Sequence, residues 1–440
     1  MSAGAKDFIA LFDELGFIDT HEHIGVEDGI CESPRYTKRP QRTLWDIVFG
    51  AGYLGGLLRY PREQPPQLMY ADDQEKVWSW VKPRLSLIQN TGTYRTILRG
   101  LRECYGFTDM DLTEENWRPL SEKILQRYAS MSRMQLYADG AQRLGIDKIL
   151  RCVDPMYYAR YRPGLTEDEA RIDRRLFGSL SYADFFLTMN GSEQKAQEPP
   201  ITALTELLGT DYRFTWEWMR QAITDYIGFL AKDASTFGLK FSCGYRRSLA
   251  FQQPDLAALE RRWPKAGKEA TPEFAENFEA CVMHEICRLA GEHELPVTFH
   301  TGVGNADVRA GNPAHLLSLI DAYPQTTFVI LHAGFPYWQE WLVIGAPREN
   351  VFLDMTWIPM LSVAIFRSIF SQAVELAQAK FLVGNDASTV EHLTGIHRVT
   401  IETISEVLSE KVRLGYYTPV TAGDLVHRIA RGNPTRVFKL

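Results

Sequence analysis

The chain has 440 residues, 45% of them apolar and 12% aromatic, enough to bury one large core and too many for a disordered chain. Its net charge of −7 comes from acidic and basic residues that are interspersed rather than blocked, which gives no footprint for nucleic acid or an anionic membrane. No basic leader with an apolar core opens the sequence, no apolar run approaches membrane-spanning length, and the six cysteines form no CxxC pair, so the expectation is a cytoplasmic protein with reduced thiols and a small-molecule partner.

In chain order, Phe17 to Ile24 (FIDTHEHI) reads as a strand. About 120 residues follow that do not continue a strand rhythm; they read as helices near Leu44 to Leu58, Glu75 to Ile88, Tyr94 to Tyr105 and Glu115 to Arg143, broken by Pro61, Pro65 and Pro66. Asp147 to Val153 reads as a second strand, and GSEQKAQEPP from Gly191 to Pro200 as an exposed loop. The third strand has no placement. From there β-rich runs alternate with helical segments: Leu239 to Cys243, Pro296 to His300, Thr327 to His332, Asn350 to Asp354 and Lys380 to Gly384. Between the first two of these runs, Thr271 can cap a helix that starts at Pro272 and repeats Phe274, Phe278, Val282, Ile286 and Leu289 at helical spacing. Such a βα repeat predicts parallel strands with crossover helices: an α/β fold, a (β/α)8 TIM-like barrel in which 1–440 is a single domain and 25–145 a mainly helical insertion after the first strand. That insertion emerges at the carboxy-terminal rim of the barrel, as a lid or an oligomer interface.

His21 and His23 are one residue apart in a strand, so both side chains point to the same face, as two ligands of one ion must; the plain alternative is a solvent-exposed pair. His300 closes PVTFH and His332 closes TFVILH, each where a barrel strand hands over to its loop and such folds keep their catalytic groups. One histidine so placed reads as structural, but two beside an HxH strand do not. Asp386 ends FLVGND, where burial is costly without a partner; a cation supplies one, and capping the next helix is the other use. Asp354, ending VFLD, has the same two readings. Lys240, inside GLKFSCG, needs an anion if it faces the barrel. It is then either carboxylated to bridge two metals or an ammonium that holds substrate, whereas an outward lysine is simply solvated. Tyr245 and Arg246 lie just beyond that strand, a phenol to wall a pocket and a guanidinium to grip a carboxylate, or else, with Arg247, a solvated loop.

HEH on the first strand, a lysine on a middle strand, histidines ending two successive later strands and an aspartate ending the last together resemble the amidohydrolase superfamily. The segments HTGVGNADVRAGNPAHLL, FVILHAGFPYWQE, NVFLDMT, FLVGNDAS and ARGNPTRVF, with KFSCGYRRSL before them, are similar to its amidohydrolase 2 branch, which includes hydrolases, decarboxylases of aromatic and unsaturated acids, and relatives of uronate isomerase. The resemblance covers residues 15 to 25 and 236 to 440, with a weaker likeness at NTGTYRTIL, while Pro155 to Arg213 matches no strand of the family.

This resemblance implies that His21, His23 and Asp386 bind a divalent cation, zinc foremost, as one ion or two, with His300 as a further ligand or a polarising neighbour. It implies Asp386 as the proton shuttle for a metal-activated water and His332 as the group that steadies the developing oxyanion. The expected activity is hydrolysis of an amide, lactone or related C–N or C–O bond in a small carboxylated compound. A non-oxidative decarboxylase and a uronate-type isomerase are the alternatives on the same scaffold, and a non-enzymatic binding barrel is disfavoured because every expected ligand position is filled. The family's YR pair assigns the substrate carboxylate to Arg246, walled by Tyr245, and leaves Arg247 to the surface. A homo-oligomer is expected.

Overall fold

Eight strands form one sheet in chain order: β1 (Phe17–Glu22), β2 (Ile146–Val153), β3 (Phe177–Tyr182), β4 (Thr236–Phe241), β5 (Val297–Phe299), β6 (Phe328–Ile330), β7 (Val351–Asp354) and β8 (Phe381–Leu382). The computed structural model describes residues 4–24, 43–50, 73–189, 198–263, 270–304, 307–377 and 379–440. From β3 to β8 every neighbouring pair is parallel. Just past β8 the Asp386 N–H donates to the His21 carbonyl (2.9 Å) and the His23 N–H to the Ala387 carbonyl (3.1 Å), so the last segment runs beside β1 and the sheet closes into the expected barrel.

The strands after β4 are short and rich in Val, Ile, Leu and Phe, and they are buried throughout, as strands covered on both faces must be. Register then decides which side chains meet. Lys240 is the Cα partner of both Tyr182 and Thr298, and Thr298 is the partner of Val329, which is that of Phe352. Val329 and Phe352 belong to a buried cluster with Leu150, Leu180, Leu331 and Leu382, joined by Val437 and Phe438. Lys240 is therefore on the face that the barrel buries, and its side chain is 1% exposed. The solvated-lysine reading is thereby excluded.

The missing third strand is FGSLSY. Its Gly178, Ser179 and Ser181 replace the β-branched residues that mark its neighbours, because large side chains from adjacent strands fill the space: a Cβ on Gly178 would lie 2.6 Å from both Leu150 and Phe237 side-chain atoms. The stretch read as one helix from Glu115 to Arg143 is two, Trp117–Ser130 and Arg133–Arg143, separated where Ser132 caps the second with a reciprocal bond to Gln135. The expected helix at Leu44 is Leu44–Gly50; its continuation to Leu58, the three prolines, Cys31 and most of the Gly191 loop lie outside the described residues.

By contact density the chain divides into two compact units. The first comprises residues 1–149, 355–372 and 383–431, and the second residues 150–354, 373–382 and 432–440. In the first, the helices Gly92–Tyr105 and Val390–Arg413 approach so closely that a Cβ on Gly100 would lie 2.0 Å from the Glu391 carbonyl and one on Gly395 2.2 Å from that of Thr96. Buried Trp45, Trp78 and Trp117 stack at 5.7–5.9 Å and hold the insertion's helices together. His392, near the start of the long helix, binds the Ile47 carbonyl at 2.7 Å through Nε2 and so ties the insertion to the same helix. In the second unit, helices Trp216–Lys232 and Pro272–Glu292 cover the sheet, and Thr271 caps the latter as expected, accepting from the Phe274 N–H.

Candidate active site

Within the first unit, β1 and the segment after β8 bring His21, His23 and Asp386 to one point. Asp386 Oδ1 lies 3.4 Å from His21 Nε2 and 3.1 Å from His23 Nε2. Donors about 2.0–2.1 Å from a tetrahedral zinc stand about 3.3 Å from one another, so each of these two separations is that of a pair of donors on one ion. The donor chemistry, two imidazole nitrogens and a carboxylate oxygen, suits zinc and neighbouring divalent ions. His21 is fully buried while His23 keeps 41% of its side chain exposed, which leaves one flank open to solvent. Burial alone would raise the Asp386 carboxyl, but the hydrogen bonds and charges of His21 and His23 outweigh it and hold the group well below the usual carboxylate range. Asp386 also adopts a φ of 58°, a left-handed backbone that costs a non-glycine residue about 1–2 kcal/mol and that clusters at functional positions.

Behind these three is a brace that sequence reasoning did not single out. Buried Asp19 accepts from the backbone N–H groups of His21 and Asn385, each at 3.2 Å, and from the Asn385 side-chain amide. Glu22, between the two histidines, accepts from the Ala387 N–H at 2.5 Å. Burial pushes the Asp19 carboxyl up to about 6 and, with the charge of Asp19 beside it, Glu22 well above its ordinary value. Gly384 is required for this closeness: a Cβ there would lie 2.5 Å from His21 N and 2.8 Å from both Asp19 Oδ1 and Thr356 Oγ1. The clue in the sequence was Asp19 itself, an acidic residue two positions before HEH inside an otherwise buried strand.

Within the second unit, His300 and His332 end β5 and β6 with their rings 4.4 Å apart, edge to face. His332 has φ 61° and is followed by Ala333 at 48° and Gly334 at 57°, so the chain spends strain to turn this imidazole against His300. His300 Nε2–H donates to the Val303 carbonyl at 3.1 Å. Tyr245 covers the other face of His300 at 4.1 Å.

Arg246 and Arg247 divide differently from expectation. Arg247, assigned to the surface, has only 20% of its side chain exposed: it pairs with Glu279, donates to the carbonyls of Ser248 and Ala250, and lies over Phe251 at 4.3 Å. It is a structural clasp. Arg246 keeps 54% of its side chain exposed and touches Asp184 Oδ2 through Nη2 at 3.2 Å. Asp184 is a second residue the sequence did not reveal, because it lies two positions past the strand that was not placed. The capping box of Thr166 and Glu169 on the helix Glu167–Leu176 marks the helix that feeds this strand and was the available signal.

Residues 240–387 match the amidohydrolase family model, a stretch that holds Lys240, Arg246, His300, His332 and Asp386. This third of the chain is similar to the amidohydrolase family.

Among solved structures, the chain is similar to uronate isomerase from Thermotoga maritima, at 13% identity over 99% of this chain and 97% of that one, with a TM-score of 0.77. It is also similar to glucuronate isomerase from Caulobacter crescentus, at 14% identity over 99% and 93% of the two chains with a TM-score of 0.73. A Lactobacillus casei protein assigned as a metal-dependent hydrolase aligns at 16% identity over 98% and 97%, with a TM-score of 0.61. These likenesses establish the fold. Protein fluG of Emericella nidulans is 31% identical over 246 residues, which are 52% of this chain and 28% of that protein, so the match spans little more than a quarter of fluG. No described helix is long and apolar enough to cross a membrane.

Proposed function

We propose that this protein is a metal-dependent hydrolase of the amidohydrolase type that cleaves an amide, lactone or related C–N or C–O bond in a small carboxylated compound. The observation that carries the reading is the triangle of His21, His23 and Asp386, whose 3.1 and 3.4 Å edges fit a single divalent ion, zinc foremost. His300 is the further ligand or polarising neighbour. When bound, such an ion supplies Lewis acidity and brings the ionisation of water towards neutrality. Asp386, a carboxylate held ionised by its two histidines, takes the proton from the attacking water and passes it to the leaving group. His332 donates to the developing oxyanion, and Arg246, walled by Tyr245, holds the substrate's remote carboxylate. The support for assigning these groups to one reaction is that each lies at or just beyond the carboxyl end of a strand of the barrel, the rim at which barrel enzymes assemble their sites.

At 13–14% identity the likeness to uronate isomerases speaks for the architecture and not for the reaction, so the test must include their substrate class. The metal-loaded protein is assayed against carboxylated amides, lactones, aromatic acids and uronates. Release of an amine or opening of a lactone supports hydrolysis. Carbon dioxide release, or interconversion of a uronate without net hydrolysis, replaces it.

A further inference from the structure

Asp386 sits at φ 58°, and a non-glycine residue persists in this left-handed region only where its surroundings over-determine it. Here the residues on either side of it are each tied to a buried acid of β1. Before it, the Asn385 N–H donates to Asp19 Oδ1 at 3.2 Å, beside a bond of the same length from the His21 N–H, and the Asn385 side-chain amide donates to Asp19 Oδ2. After it, the Ala387 N–H donates to Glu22 Oε2 at 2.5 Å. Both acids are 0% exposed. A carboxylate has two oxygens with about four lone-pair positions, which is how Asp19 takes all of these donors at once; an amide in its place has one oxygen, and its NH2 would face the NH2 of Asn385. Burying two acids in one strand is costly, and the proposed chemistry uses neither of them.

We infer that Asp19 and Glu22 are positioning residues: they clamp the two neighbours of Asp386 to β1, hold its backbone in the left-handed turn, and thereby set Asp386 Oδ1 against His21 Nε2 and His23 Nε2. The inference rests on the metal reading above for what these three side chains bind, and not for the clamp itself. Acids that only closed the barrel would affect stability and nothing else. Acids that aim a ligand affect the affinity of the ion even though every ligand stays in place, because a freed Asp386 backbone lets its carboxylate swing away from the two imidazoles.

The test measures, on the full chain, zinc affinity by competition with a chromophoric chelator and, on the metal-free protein, amide hydrogen exchange across residues 383–389 by mass spectrometry. Asp19→Asn sets two NH2 groups against each other, and Glu22→Met removes the acceptor of the Ala387 N–H. Each is expected to weaken zinc binding about 10–100-fold with all ligands still present, and to speed exchange of the segment. Asp19→Asn combined with Asn385→Asp rebuilds the pair with donor and acceptor exchanged, and is expected to recover most of both losses. Glu391→Gln is the control: this buried acid of the same unit accepts from the Tyr105 and Tyr128 hydroxyls, so its replacement loosens the fold and is expected to leave zinc affinity unchanged. Unchanged zinc affinity in the clamp variants, unchanged exchange, or an exchanged pair that recovers neither overturns the inference. So does an equal loss of affinity in Glu391→Gln, which would make the two acids merely structural. Glu22→Met carries the test if Asp19→Asn does not fold. A wild type that binds no zinc sinks the metal reading, and exchange of the segment in the metal-free protein then decides the clamp by itself.

Discussion

His397 makes the first unit acid-labile in a way that can be calculated. It lies in the helix Val390–Arg413, fully buried, with its ring edge-on to Phe17 at 4.9 Å at the start of β1. Burial first, and the charge of Arg398 second, depress its pKa from 6.5 to about 3, against a small opposing pull from the Leu144 backbone. Arg398 is partly offset by Asp13, 3.9 Å away. The folded protein keeps this ring neutral, whereas the unfolded chain binds a proton below its ordinary pKa, so stability is lost as pH falls through that value and continues to be lost towards the folded pKa. At about pH 5 the unfolded state gains about RT ln(1 + 10^1.5), or roughly 2 kcal/mol. For a chain of this length that is about 2 °C in melting temperature. Asp19 and Glu22 titrate with the opposite sign, since burial raises both and acid relieves them, so the wild-type profile alone is ambiguous. The informative quantity is the difference between wild type and His397→Leu, measured by thermal unfolding from about pH 8 to about pH 5. The variant should lose about 2 °C less than the wild type over that range. Parallel profiles would refute the reasoning.

On the proposed mechanism Asp386→Asn removes the proton acceptor while keeping the shape, and should lower kcat by about 10²–10⁴ with little change in KM; an effect confined to KM would make Asp386 a binding residue. Arg246→Met deletes a charge-assisted contact to the substrate, so KM on the identified acidic substrate should rise about tenfold or more at unchanged metal content, and unchanged kinetics would remove Arg246 from the site. Gly395→Ala drives a Cβ to 2.2 Å from the Thr96 carbonyl and should force the helix pair apart, with a clear drop in melting temperature; wild-type stability would show that the two helices separate at no cost.

The residues of the candidate site were legible because each sits at or near a strand end and carries a residue type that is costly to bury without a partner. HEH obeyed strand periodicity, His300 and His332 ended apolar runs, and Asp386 followed one. The left-handed backbone at His332 and Asp386 was not legible, since only the closed barrel imposes it. Nor were Asp19 and Asn385, which lie 366 residues apart and meet only when β1 and the end of β8 close the ring. β3 was hidden because its interior neighbours demand small residues, which removed the hydrophobic signal a strand normally carries and took Asp184 with it. The arginine pair shows the same limit: two adjacent guanidiniums are equivalent in sequence, and only Glu279, reached through the helix Pro272–Glu292, makes Arg247 the structural one.

The central claim is that His21, His23 and Asp386 form a metal centre, and metal analysis tests it most directly. Purified wild type is stripped with chelator, exposed to equal amounts of zinc, manganese, cobalt and nickel, desalted and measured by mass spectrometry, beside His21→Ala and His23→Ala prepared identically. The account predicts one divalent ion per wild-type chain, with zinc dominant, and loss of most of it in each variant, because two ligands do not hold an ion that three were built to hold. A wild type that retains no metal, or variants that retain as much as the wild type while remaining folded, would contradict it.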